Sequence, residues 1–99
     1  SDPSKGFVEY VNRSAAAEHG LVRATDEGVY IGVDTTGNVG EAGRRSVRIQ
    51  SEAMYERGLF ILALDHMPTG CGTWPAFWMY GEDADHVWPS WGEYDVIEG

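Results

Sequence analysis

Gly92-Glu93-Tyr94-Asp95-Val96-Ile97-Glu98-Gly99 places three carboxylates within six residues and threads them between strand-forming side chains. The segment predicts a strand from Glu93 to Glu98. Successive side chains of a strand point to opposite faces, so Glu93 and Asp95 share one face. Glu98, five residues on from Glu93, faces the other way in a regular strand. A β-bulge at Val96-Ile97 turns it back to the Glu93 face. A regular four-residue spacing separates Cα atoms by roughly 13 Å, at about 3.3 Å per residue. Two extended glutamate side chains leaning together close that to about 5 Å, a distance at which two carboxyl groups can act on one bond. The plainer reading, the solvated face of an outer strand, is weakened by the cost of crowding like charges on one face and by the tryptophans just upstream.

Outward from this strand, the chain reads as short β segments separated by turn chemistry. Phe7-Val8-Glu9-Tyr10-Val11 alternates apolar and polar residues. The Ala-rich stretch Ser14 to Glu18 predicts one helical turn, stopped by Gly20. Leu21 to Ala24 and Val29 to Val33 flank Asp26-Glu27-Gly28, which reads as a hairpin. Gly37 to Gly43 is a loop, and Ser46-Val47-Arg48-Ile49-Gln50 alternates again. Leu59 to Leu64 is a continuous apolar run that predicts a strand buried on both faces. Pro68 to Gly72 is a turn, Pro75 to Tyr80 another apolar run, and Gly81 to Trp91 an acidic loop containing proline. Seven short strands without a long helix predict an all-β, antiparallel sandwich or jelly roll. A chain that stops on its most charged strand with an open edge is expected to be only part of that fold.

Ninety-nine residues give room for one small domain or a piece of a larger one. Seven Lys plus Arg against sixteen Asp plus Glu leave a formal charge of −9. Nucleic acid is a poor partner for such a chain, since phosphate neutralisation needs clustered cations and the one basic pair is Arg44-Arg45. Anionic membrane surfaces are disfavoured for the same reason, and no apolar run has the length of a membrane span. Thirteen Gly, four Trp and five Tyr suit β structure with tight turns. The Trp cluster from Trp74 to Trp91 suits a dense core or a stacking surface for flat ligands. Cys71 is the single cysteine, so it is either a buried thiol or half of a bridge to a partner outside this chain. His19, His66 and His86 lack metal-ligand spacing and read as structural or surface residues. Asn12-Arg13-Ser14 is an N-glycosylation sequon, meaningful for a chain passing through a eukaryotic secretory pathway.

The motif Glu93-Tyr94-Asp95-Val96-Ile97-Glu98 resembles the signature of glycoside hydrolase family 16 in its longer, bulged form, with Tyr94 bulkier than the usual aliphatic residue. Ser46-Val47-Arg48-Ile49, His66-Met67-Pro68, Gly70-Cys71-Gly72-Thr73-Trp74-Pro75-Ala76-Phe77-Trp78 and Trp88-Pro89 also look like segments of that family. The resemblance runs nearly the full length of the chain and points to the fungal laminarinase-like endo-β-1,3(4)-glucanases. It implies a β-jelly roll of two packed antiparallel sheets. The chain then corresponds to the early-middle section of a longer catalytic domain and ends at the catalytic strand.

The resemblance also implies roles. Glu93 is the nucleophile, Glu98 the acid/base, and Asp95 hydrogen-bonds the nucleophile and tunes its charge. A neighbouring carboxylate helps keep one acid of such a group protonated. Trp78 and Trp88 line the cleft and stack on sugar faces, although Trp78 in its apolar run also fits core packing. Arg48 contacts sugar on the donor side, with a structural ion pair as the competing reading. Trp74 is assigned to core packing and Trp91 to loop surface. Glu9 stands where relatives often carry Asn for hydrogen bonding to glucan, which alters that subsite. Cys71 is implied to pair with a cysteine downstream of this chain. No cofactor and no metal are needed for the chemistry, and the ligands of the structural calcium some relatives carry fall mostly outside this stretch. The expected protein is a secreted, extracellular, monomeric retaining endo-glucanase acting on laminarin-like β-glucan, with these 99 residues inactive alone. A non-catalytic glucan-binding module of the same fold is the alternative, which the two glutamates oppose. The bulged motif favours laminarinase-like specificity over lichenase and xyloglucan-transferase types, whose motif lacks the extra residue.

Overall fold

The structure, a computed structural model, describes residues 6–99. The chain divides into two compact units, one running to Ile61 and the other from Leu62 to Gly99.

The first unit holds β1 (Val8–Tyr10), α1 (Arg13–Glu18), β2 (Val22–Thr25), β3 (Gly28–Ile31) and β4 (Arg44–Ser46). The sequon residue Asn12 caps α1: its extended backbone turns into the helix and its side chain accepts the Ala15 N–H at 2.9 Å. Three consecutive alanines then propagate the turn cheaply. Gly20, at φ +67°, ends it, and Leu21 N–H closes back on the Ala16 carbonyl. Among the described residues, Ala16 and Leu21 are the buried apolar ones.

β2 and β3 form the expected hairpin, with Arg23 opposite Tyr30 and its guanidinium 4.5 Å from the ring centroid. The Thr25 hydroxyl accepts the N–H groups of Glu27 and Gly28, fixing the turn. Asp34, buried, accepts the Thr36 hydroxyl at 2.7 Å and the Thr36 N–H at 3.1 Å. The Thr36 hydroxyl is the main reason its carboxyl stays below the usual carboxylate value, helped by the cations of Arg45 and Arg44. The Arg44 guanidinium clamps the same loop through the carbonyls of Asp34 and Gly37, at 2.9 and 2.8 Å. The one basic pair of the sequence is therefore engaged in holding a loop.

Two expectations change here. The strand placed at Ser46–Gln50 lies earlier, at Arg44–Ser46, and it pairs with β1 in parallel, Glu9 opposite Arg45. Parallel pairing requires a long crossover, and the chain between β1 and β4 supplies one, carrying α1 and the hairpin. Gly43 permits the approach: at φ +88°, a Cβ there would sit 2.7 Å from the Phe7 carbonyl oxygen.

The second unit is built on one antiparallel ladder, β5 (Ala76–Tyr80) with β6 (Glu93–Glu98). Backbone bonds extend it at both ends, from Gly99 N–H to the Pro75 carbonyl and from Gly81 N–H to the Gly92 carbonyl. Leu59–Leu64, which straddles the two units, is not a strand; Leu59 and Ile61 are 85% and 78% exposed. A strand exists only through its ladder, and among the described residues nothing pairs with this run. Cys71 is exposed in this section of the domain. No helix among the described residues is long and apolar enough to cross a membrane.

Candidate active site

The β5–β6 register places the three acids. Tyr80 stands opposite Glu93, Trp78 opposite Asp95 and Ala76 opposite Glu98, with a register shift between Phe77 and Trp78. Phe77 pairs with Ile97, so Val96 is the residue without an opposite number. That is the bulge the carboxylate spacing demanded. Because Tyr80, Trp78 and Ala76 alternate along β5, the residues facing them share one face. One carboxylate oxygen from each of Glu93, Asp95 and Glu98 lies within 4.8 Å of the others.

An indole N–H meets each glutamate. Trp88, in the loop before β6, donates from Nε1 to Oε2 of Glu93. Trp74, two residues before β5, donates from Nε1 to Oε1 of Glu98 at 3.2 Å. Trp78 connects the group from β5, its ring 5.4 Å from both Trp88 and Tyr80. Trp78 and Trp88 are half-buried beside the acids, consistent with a cleft wall. Trp74 is 71% exposed in this section of the domain, with its indole edge engaged by Glu98. Trp74 begins where the turn held by Thr73 on the Gly70 carbonyl ends, and the last residue of the β6 strand lies beside it.

The 81–92 loop is shaped by Asp83, which accepts the N–H groups of Asp85 and His86 and contacts His86 Nδ1 at 2.7 Å. The Asp85 N–H, then the His86 ring, holds the Asp83 carboxyl below the usual range. His86 in turn stacks on Trp91 at 3.7 Å, and Trp91 is half-exposed on the loop, as expected of it. The loop closes tightly on β5, since a Cβ on Gly81 would lie 2.7 Å from Trp91 Cδ1.

Electrostatics single out Asp95. Its carboxyl is raised above the ordinary value of 3.8 by desolvation first, then by the charges of Glu98 and Glu93 and a hydrogen bond with Glu93. A raised folded-state value means that, between 3.8 and that value, the folded chain binds more protons than the unfolded one. Stability therefore falls as pH rises through that window. Asp95→Asn keeps a donor toward Glu93 but removes the charge. The variant is expected to lose this pH-dependent fall, while activity drops by about 10²-fold through mispositioning of Glu93. Thermal midpoints of both proteins across pH check this; parallel curves refute it.

Arg48 and Glu9 belong to the first unit. Both are exposed, Glu9 in β1 and Arg48 beyond β4 rather than within a strand. Among the described residues, Glu93, Asp95 and Glu98 are also the acids close enough to share a cation, a spacing equally expected of two carboxyl groups working on one bond. The contact that sequence reasoning missed is the one from Trp74 to Glu98. That proximity was accessible only through the β5–β6 register, which puts the start of one strand beside the end of the other.

The comparisons agree with this geometry. A family model described as the XgeA-like catalytic domain of glycoside hydrolase family 16 matches residues 1–99. Probable glycosidase C21B10.07 of Schizosaccharomyces pombe is 48% identical over 99 residues, covering all of this chain and 22% of that protein. The endo-1,3(4)-beta-glucanase xgeA of Emericella nidulans is 50% identical over 103 residues, covering all of this chain and 16% of that protein. The chain thus spans about a fifth or less of these relatives. A crystal structure of an elongating family 16 beta-1,3-glucosyltransferase superposes with a TM-score of 0.85 at 47% identity, over 99% of this chain and 33% of that one. The all-β jelly-roll assignment holds, with the parallel β1–β4 pair as a local departure. The chain belongs to the XgeA-like catalytic domains of glycoside hydrolase family 16.

Proposed function

We propose that the protein carrying these 99 residues is a retaining endo-glucanase that cuts internal β-1,3 or mixed β-1,3/1,4 linkages by double displacement. The observation that carries this reading is that one carboxylate oxygen of Glu93 and one of Glu98 lie within 4.8 Å of each other on one strand face. Retaining glycosidases hold their carboxyl pair about 5–5.5 Å apart, whereas inverting ones leave about 6.5–9.5 Å for a water.

In this reading Glu93 attacks the anomeric carbon as Glu98 gives its proton to the departing glycosidic oxygen. The bond to the leaving sugar breaks and a glycosyl ester on Glu93 forms. Glu98, now a carboxylate, takes a proton from water as that oxygen attacks the same carbon and Glu93 departs. Asp95 and the Trp88 N–H hold the Glu93 carboxylate in line. Trp78 and Trp88 offer ring faces to the apolar C–H faces of sugar units, and Arg48 supplies forked donors to a sugar on the donor side. The substrate is a neutral, laminarin-like polymer, the protein is secreted and monomeric, and no cofactor takes part. We read the 99 residues as the early-middle section of the catalytic domain, inactive in isolation, with Cys71 bridged to a downstream cysteine.

One observation favours a second reading: a similar solved structure is described as a glucosyltransferase. The same glycosyl ester serves both activities, released to water in one and to a sugar hydroxyl in the other. Laminarin digestion by the intact protein, followed by proton NMR of the first-formed reducing ends, tests both. Initial β-anomer is the expected result. Products longer than the substrate mark transfer, and initial α-anomer overturns the double displacement.

A further inference from the structure

We infer that Trp74 is a positioning residue for Glu98: its indole N–H fixes which of the two carboxyl oxygens carries the transferable proton. The inference rests on the reading of Glu98 as the acid/base. An indole N–H only donates, and Trp74 Nε1 reaches Oε1 of Glu98 at 3.2 Å. In a neutral carboxyl group the carbonyl oxygen is the good acceptor and the hydroxyl oxygen a poor one. A donor held at Oε1 therefore makes Oε1 the carbonyl oxygen and assigns the proton to Oε2. After the first displacement the same N–H meets a carboxylate, and the contact becomes a charge-assisted bond. The donor thus remains matched to both protonation states through the cycle, with Oε2 giving and regaining the proton.

Among the described residues the hydrogen bond of Trp74 is the one to Glu98. The backbone fixes its place: Gly70 accepts from both the N–H and hydroxyl of Thr73, and Gly99 N–H ties the end of β6 to the Pro75 carbonyl. Trp74 is thus held across the strand end from Glu98 by the ladder itself. The arrangement parallels Trp88 on Glu93, so each glutamate has its own indole donor from a different loop.

Trp74→Phe in the intact enzyme keeps an aromatic ring and removes the N–H. Activity on laminarin, whose leaving group needs a proton, is expected to fall about 10- to 100-fold. Cleavage of a 2,4-dinitrophenyl β-laminarioside, whose aglycone departs without one, is expected to keep its burst rate. Equal losses on both substrates, or no loss on either, overturn the proposal. Glu98→Gln run beside it separates the two levels. If that variant also fails to discriminate between the substrates, Glu98 is not the acid and the parent reading falls, taking this one with it. A second measurement needs no tryptophan variant. In the ¹⁵N-indole spectrum, Glu98→Gln is expected to move the Trp74 N–H resonance and Glu93→Gln the Trp88 one. A Trp74 resonance unmoved by Glu98→Gln overturns the proposal.

Discussion

With Glu93 as the proposed nucleophile, Glu93→Gln in the intact enzyme is expected to lower kcat on laminarin by about 10⁴-fold or more. The amide is nearly isosteric with the carboxylate, and its carbonyl oxygen still accepts the Trp88 N–H, so the cleft keeps its shape. On the double-displacement proposal, what disappears is the anionic oxygen that would form the bond to the anomeric carbon, and the cluster of acids contains no substitute placed as well. Asp95 lies on the same face but is held toward its protonated form by desolvation and the Glu98 charge, both of which remain in the variant, which makes it a poor replacement nucleophile. Reducing-sugar release by wild type and variant, with laminarin binding measured alongside, checks this. Activity within a few-fold of wild type would remove Glu93 from the reaction.

Glu98→Gln should lower laminarin turnover by about 10²- to 10⁴-fold and leave a different signature. A glutamine cannot protonate a sugar leaving group, but an activated aryl glycoside needs no proton to depart. The glycosyl ester on Glu93 should therefore form rapidly and persist, because no base activates water. Azide requires no deprotonation and has room where the carboxylate stood. It is expected to accelerate turnover and yield a β-glycosyl azide. An α-azide, or no acceleration, would contradict the assignment of Glu98.

The site was more legible in the sequence than the fold around it. Three acids at positions 93, 95 and 98 contain their own geometry, because the parity of a strand forces a bulge if all are to share a face, and Val96 provides it. The hairpin at Asp26-Glu27-Gly28 and the capped turn after Asn12 were legible for the same reason: local chemistry decides them. Leu59–Leu64 was misread because an apolar run states a need for cover without stating whether a partner strand supplies it. The β4 strand was misplaced by two residues because its pairing with β1 depends on a contact across more than thirty residues, licensed by Gly43 and by the loop that Asp34 and Arg44 organise. The contact of Trp74 with Glu98 was not legible because aromatic rings suggest interiors, while the polar edge directed at a carboxylate is what the ladder positions.

The spare residue in β6 has a bearing on how the strand tolerates change in length. Removing Val96 in thought leaves Phe77 opposite the next isoleucine and Ala76 opposite the last glutamate, the same partners as before. Four-residue spacing then keeps both glutamates on one face without a bulge. A codon lost at this point would alter the local twist and bend of the strand while leaving the acids facing the same neighbours. The curvature of this strand can therefore change through a deletion in the middle of its acidic motif with the placement of the carboxylates kept.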